Sequence, residues 1–351
     1  MRFEHETLGQ RVRFATGRAA DGVAREVEIL GAQRVMVIAG PNGVALAERV
    51  TAEVPVAVLH DEVVSHVPVR LAERARETAT AHDVDAVVSV GGGSATGLAK
   101  AVALTTGLPI IAVPTTYAGS EVTAVWGLTE DGQKTTGTDH RVLPRLVVYD
   151  ASLTVSLPVD VSVASGLNAV AHCVDSLWAP RADPINMALA VEGVRALNSA
   201  LPTVVDSPEA LPGREQALCG AYLSAVAFAS AGSGLHHKIC HVLGGRYDLP
   251  HAPTHAVVLP YVLALNGRGA PDAERRLAAA FDAPTALEGL QALRLRLTAP
   301  RALRDLGFDE SLIPEAAAAI LPTVPDGNPV DVTTADLEHL LRQAWEGADP
   351  G

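Results

Sequence analysis

Short apolar runs alternate with helical stretches through the first half of the chain. Arg34–Gly40 (RVMVIAG), Val56–His60 (VAVLH), Ala86–Gly91 (AVVSVG), Pro109–Pro114 (PIIAVP) and Leu146–Asp150 (LVVYD) are rich in Val and Ile and end at Gly, Pro, His or Asp, which predicts buried strands. Between them, Val67–Ala81 and Ala95–Thr106 carry helical periodicity. Strands that alternate with helices need crossover connections, and these build a parallel sheet covered on both faces. Val122–Thr136 breaks the rhythm, and Asp131-Gly132 within it predicts the turn of a hairpin.

From about Ala151 the β signal disappears. Alanine and leucine dominate, and helical periodicity runs through Val163–Trp178, Pro184–Leu201, Arg214–Ala231 and Thr334–Trp345. The pattern predicts an α/β Rossmann-like N-terminal domain with a parallel sheet over residues 1–152 and an all-α C-terminal domain over 153–351, each long enough to bury its own core. No repeat, low-complexity tract or Gly/Ser linker separates the halves, so they are expected to pack closely around a ligand-binding cleft.

Composition narrows the partners. Apolar residues make up 48% and charged residues 19%, a globular balance. The formal net charge of −13 argues against nucleic acid or an anionic membrane surface, and an anionic substrate would need a local island of positive charge. Three cysteines (Cys173, Cys219, Cys240) form no disulfide framework and point to a reducing compartment. The N-terminal MRFEHETLGQRVRF lacks the apolar core of a secretory signal, and no apolar run is long enough to span a bilayer. A soluble, cytoplasmic protein is expected.

Candidate chemistry lies in three places. Gly91-Gly92-Gly93-Ser94 joins the strand AVVSV to a helix, where close backbone approach and free N–H groups suit a phosphate. A second loop, Pro114–Glu121, follows the next strand and carries the hydroxyls of Thr115, Thr116 and Ser120; loops at adjacent carboxyl ends of an open α/β sheet are where such folds bind ligands. In the second half, five of the twelve histidines fall between Gly234 and His255. Asn168 and His172 share one helix face at i and i+4, as do His237 and His241, while His251 follows Pro250 at a helix start with His255 one turn on. Imidazoles at such spacings suit either a metal or a proton-handling anion site.

The GGGS turn with the AK of its helix, PTTYAGSEVT, NAVAH, and GLHHKICHVLGG followed by LPHAPTHAVVLPY together resemble the iron-containing (group III) alcohol dehydrogenase superfamily, and within it the maleylacetate reductase branch. The likeness covers nearly the whole chain, most specifically residues 91–100, 114–123, 166–180 and 234–261. It implies a dehydroquinate synthase-like architecture, a homodimer, NADH or NADPH as coenzyme, and reduction of the C=C bond of a small dicarboxylate, maleylacetate, to 3-oxoadipate in aromatic compound catabolism. By position, Gly91, Gly92, Gly93 and Ser94 would hold the pyrophosphate, with Thr115, Thr116 and Ser120 near the phosphate and nicotinamide ribose. Asn42 would lie on the adenosine side, where Gly40-Pro41-Asn42 offers no acid against a 2′-phosphate. His172, His237 and His251 would take the places of metal ligands in metal-dependent members.

Two departures matter. Those members carry aspartate where this chain has Asn168, and many relatives carry aspartate at Gly97. An amide removes the one anionic ligand, so no bound metal is expected and the three histidines become vestigial ligand positions. The amide's two donors suit a carboxylate instead. On this reading His241 and His251 share the proton-donor and oxyanion-stabilising work, and Asn168, His172, His237, Lys238 and Arg246 bind substrate. The alternative is a metal-dependent (Fe or Zn) alcohol or polyol dehydrogenase of the same superfamily; a dehydroquinate synthase-like lyase and a non-enzymatic coenzyme-binding protein stand further off.

Overall fold

The structure, a computed structural model, describes residues 2–130 and 133–350, so the Asp131-Gly132 turn lies outside the described residues. Two compact units divide it. Leu8–Leu157 form an α/β unit, and residues 158–350 form a helical unit that also takes up residues 2–7.

The α/β unit contains β1 (Arg11–Phe14), α1 (Ala19–Leu30), β2 (Val35–Ile38), α2 (Val44–Val50), β3 (Val56–His60), α3 (Val69–Ala81), β4 (Ala86–Gly91), α4 (Gly93–Thr106), β5 (Ile110–Pro114), β6 (Val125–Glu130), β7 (Gln133–Thr138) and β8 (Leu146–Tyr149). Six strands pair in parallel in the order β1-β8-β5-β4-β2-β3. Alternation along β2 feeds both faces: Val35 and Val37 join the core that includes Val23, Val27 and Val148, while Met36 and Ile38 join Leu98, Val102 and Ile110 on the other side. β6 and β7 pair antiparallel as the expected hairpin, with Glu130 opposite Gln133.

β1 escapes the apolar-run criterion because it is an edge strand whose arginines, Arg11 and Arg13, alternate with Val12 and Phe14. Its register is set by pairing from Arg11 opposite Leu146 to Phe14 opposite Tyr149. Asp150 secures the following turn: its carboxylate accepts from the backbone N–H groups of Gly17 (2.8 Å), Ala19 (3.0 Å) and Ser152 (3.0 Å).

The order β3-β2-β4-β5 matters for function. The chain leaves β2 to one side for β3 and returns past it to β4, so the strand order reverses between β2 and β4. Open α/β sheets bind ligands outside the carboxyl ends of the strands at that point. The Pro41–Gly43 turn after β2 and the Gly91–Ser94 turn after β4 both stand there.

The helical unit consists of α5 (Val159–Ser176), α6 (Pro184–Asp206), α7 (Leu211–Ala231), α8 (Leu235–Tyr247), α9 (His251–Gly267), α10 (Pro271–Phe281), α11 (Ala286–Arg296), α12 (Ile313–Ile320) and α13 (Thr334–Glu346), with short 3₁₀ turns between. α5 is buried on every side from Ser162 to Ser176, as a central helix must be. A capping box between Asp183 and Asn186 starts α6, and Asp183 also accepts a 2.8 Å hydrogen bond from His5 Nδ1, which fastens the N-terminal residues to this unit. Between α7 and α8 the chain turns by 97° through Gly232-Ser233-Gly234. No single helix among the described residues is long and apolar enough to cross a membrane.

Candidate active site

At the carboxyl edge of the sheet, β4 ends on Gly91 with φ of 147°, a conformation that needs glycine. Gly92 then caps α4 in an extended conformation. A Cβ at Gly92 would stand 3.0 Å from Thr116 Cγ2 and 3.2 Å from its Oγ1, so the turn and the second loop touch directly. Thr115 N–H donates to Gly91 O at 3.0 Å, continuing the β4–β5 pairing into both loops. The first N–H groups of α4, on Gly93 and Ser94, have no helical acceptors and face outward from a glycine cradle that any side chain would fill. The cradle fits a pyrophosphate. Gly97 has its own steric reason, since a Cβ there would lie 3.0 Å from Val67 Cγ2.

Two buried groups missed at the sequence level hold the second loop. Lys100 of α4 is 1% exposed, and its Nζ donates to Ser120 O (2.6 Å), Thr123 O (2.7 Å), Val125 O (2.8 Å) and Thr123 Oγ1 (3.0 Å). Burial pulls this ammonium down to about 7 and Glu121 draws it back up; four oxygens within 3.0 Å favour the charged form as well. Glu121 accepts from Tyr149 Oη at 2.7 Å, and burial pushes its carboxyl up. The motif's AK pair was the only sequence signal for Lys100. Asn42, by contrast, is exposed on the turn after β2. Next to β2, β3 ends at His60 and is followed by Asp61 and Glu62, the latter ion-paired with Arg74.

In the helical unit the structure gathers imidazoles from three helices. Asn168 and His172 come from α5, His236, His237 and His241 from α8, and His251 and His255 from α9. His172 stacks on His237 with centroids 4.9 Å apart and planes at 14°, and Phe228 of α7 packs against both at 4.7 and 4.3 Å. His255 lies 4.8 Å from His237 and 4.4 Å from His251, and His241 lies 6.0 Å from His237. His236 and His255, absent from the sequence-level site, share a 2.8 Å hydrogen bond between Nε2 and Nδ1. Asn168, His172, His236, His237 and His255 are buried, His241 and Lys238 are half-buried, and His251 is exposed.

Burial, reinforced at several rings by neighbouring imidazoles, holds the four buried histidines neutral. His172 falls to about 4 and His236 to about 3, and His237 and His255 fall well below the ordinary value. Five buried atoms of the cluster have no hydrogen-bond partner: Asn168 Oδ1, His172 Nδ1, His236 Nδ1, His237 Nε2 and His255 Nε2. So many orphaned polar atoms in one place are costly without a ligand. Arg246 goes elsewhere: it is exposed and its Nε lies 3.1 Å from Glu315 Oε1.

A divalent cation fits neither set of donors. Asn168, His172, His237 and His251 bring no charge, and among the described residues these histidines do not bring their donor atoms within 4.8 Å of one another. The group that does is His236, Cys240 and His255. There a cation would replace the His236–His255 hydrogen bond and force protons onto His236 Nδ1 and His255 Nε2, which have no acceptors.

Known proteins resemble this chain over nearly its full length. The model of the iron-containing alcohol dehydrogenase family matches residues 9–151, and that of the C-terminal part of the Fe-containing alcohol dehydrogenase family matches residues 162–345. A maleylacetate reductase from Pseudomonas knackmussii is 44% identical over 356 residues, covering 100% of this chain and 99% of the relative. Among solved structures, an iron-containing alcohol dehydrogenase from Corynebacterium glutamicum is 59% identical with a TM-score of 0.98, covering 100% and 98% of the two chains. Maleylacetate reductase from a Rhizobium species is 43% identical with a TM-score of 0.93, covering 99% of each.

Proposed function

The chain belongs to the iron-containing alcohol dehydrogenase family, and we propose that within it the chain reduces maleylacetate to 3-oxoadipate in aromatic compound catabolism. As a member of this family it is an oxidoreductase that takes a nicotinamide coenzyme. The observation that carries the finer reading is Asn168: it sets a buried neutral amide among neutral imidazoles, so the position brings no anion to a cation, while the amide's NH₂ is of a kind that donates to a carboxylate.

Reducing the alkene adds a hydride to one carbon and a proton to the other, and negative charge develops as an enolate on the ketone oxygen. Bound reduced nicotinamide supplies the hydride. Gly91, Gly92, Gly93 and Ser94 hold the pyrophosphate, and Thr115, Thr116 and Ser120 hold the nicotinamide side. Asn42 faces the adenosine ribose, where Asp61, just past β3, disfavours a 2′-phosphate while Glu62 is occupied by Arg74; NADH is the preferred form, with NADPH accepted. Asn168 and His172 orient the substrate carboxylates, and His237 lines the substrate site beside them with Nε2 able to accept a proton. Lys238, half-buried beside His237, adds positive charge, while Arg246 contributes at longer range because Glu315 engages it. His241 and His251, the two least buried rings, keep contact with water, so a proton given to the substrate is replaced from solvent. No step needs a metal, and a homodimer is the assembly we propose.

Mixing the purified protein with freshly generated maleylacetate and NADH, beside simple alcohols with NAD⁺ and added Fe²⁺ or Zn²⁺, tests this. Rapid NADH oxidation insensitive to chelator is expected. Metal-stimulated alcohol oxidation without maleylacetate turnover would establish the dehydrogenase alternative.

A further inference from the structure

Asp175 lies one turn beyond His172 on α5, is fully buried, and has no role at the sequence level. Its carboxylate accepts from four donors. Oδ2 takes Gly234 N–H at 2.9 Å, His237 N–H at 3.2 Å and His237 Nδ1–H at 2.7 Å, and Oδ1 takes Trp178 Nε1–H at 3.2 Å. Burial pushes this carboxyl up, while His236 and the converging donors pull it back; a group surrounded only by donors acts as an acceptor. The space is cut to size as well. A Cβ on Gly234 would stand 2.4 Å from Asp175 Oδ1, so the carboxylate occupies the room that glycine leaves at the α7–α8 turn.

We propose that Asp175 is the positioning residue of the active site, acting through His237. Because Oδ2 can only accept, Nδ1 of His237 must carry the ring proton, and Nε2, buried and without a partner, must present a lone pair. The backbone contact from His237 N–H to the same oxygen fixes the ring's rotation about the helix. A carboxylate behind an imidazole sets its tautomer and orientation and raises its basicity. The outward atom of His237 is thereby an obligate acceptor in the neutral state. His236 and His255 lack such a carboxylate: their shared hydrogen bond is satisfied by a proton on either ring. The inference rests on the reading of this cluster as a catalytic site.

The experiment combines a spectroscopic and a kinetic arm. In ¹⁵N-histidine-labelled protein, with His237 assigned through His237→Gln, wild type should show a protonated Nδ1 and an unprotonated Nε2. Asp175→Asn keeps an oxygen for the three converging donors but loses the charge and sets an amide against Trp178. Gly234→Ala keeps both polar side chains and displaces the carboxylate. Both variants should lower kcat for maleylacetate about 10- to 100-fold with KM for NADH unchanged, and both should shift the His237 signals toward a tautomer mixture. Variants with kcat within twofold of wild type, or a wild-type spectrum with the proton on Nε2, would overturn the proposal. If both variants fail to fold, the wild-type spectrum alone decides. A wild type inactive on maleylacetate would count against the proposed function while leaving the tautomer result intact.

Discussion

At position 168 an amide stands where its Oδ1 is buried, unpartnered and close in sequence to the neutral His172. Asn168→Asp changes one atom and adds one negative charge. Two unit charges 4 Å apart interact by about 4 kcal/mol at an effective dielectric constant of 20, an upper bound for the repulsion between that carboxylate and a bound substrate carboxylate. A 10- to 100-fold loss of kcat/KM for maleylacetate is therefore expected, with KM for NADH unchanged. The same charge supplies the anionic donor that the neutral set lacks, so Zn²⁺ binding by equilibrium dialysis should tighten at least tenfold. Unchanged turnover in the variant would mean that position 168 does not face the substrate.

α4 connects the two loops proposed to hold the coenzyme. Its first residues form the glycine cradle, and one of its later residues, Lys100, holds the carbonyls of Ser120, Thr123 and Val125 in the neighbouring loop. Lys100→Met keeps the length of the stem and removes every donor, leaving those carbonyls without their partner. KM for NADH should rise tenfold or more in steady-state kinetics while KM for maleylacetate stays within about twofold, and the melting temperature should drop, since each orphaned buried acceptor costs about 1–3 kcal/mol. Equal rises in both KM values would point to general loosening instead. This element also shows what the sequence could reveal. β2, β4 and β5 were legible because strands buried on both faces read as unbroken apolar runs, and the hairpin was legible as a break in that rhythm. β1 was not, because its arginines are tolerated only at an edge, and edge position follows from topology. The histidine stretch announced the site by its density. Asp175 could not be found there: its partners Gly234 and His237 lie 59 and 62 residues away, and only the packing of α5 against α8 shows that the acid is aimed at an imidazole. Spacing at i and i+4 likewise pairs His251 with His255, whereas the hydrogen bond that the fold makes joins His255 to His236.

Across the molecule, the buried imidazoles make stability depend on pH below neutrality. His172 titrates near 4 and His236 near 3 in the folded protein, mainly because burial disfavours their charged forms, against an ordinary value of 6.5. As pH falls below about 6.5, the unfolded chain takes up protons that the fold excludes, so stability is full above that pH and is lost progressively toward 4 and 3. For His172 the shift corresponds to on the order of 3 kcal/mol, and the total over the cluster is less than additive because the rings also depress one another. Asp175 and Glu121 act in the opposite sense: burial raises both carboxyls, so the fold binds their protons before the unfolded chain does and gains stability as pH falls through their raised values. Lys100, lowered to about 7, adds a dependence only above that pH. Four depressed imidazoles against two raised carboxyls leave a net loss on the acid side. The melting temperature followed by circular dichroism should therefore change little between pH 7.5 and 7 and fall as pH drops through 6.5 to 5.8, a range kept above the sequence pI of about 5.3 so that neutralised protein does not aggregate. His172→Asn, which cannot take up a proton in either state, should flatten that slope; a wild-type melting temperature that is level or rises over the range would show that the cluster is protonated in the fold.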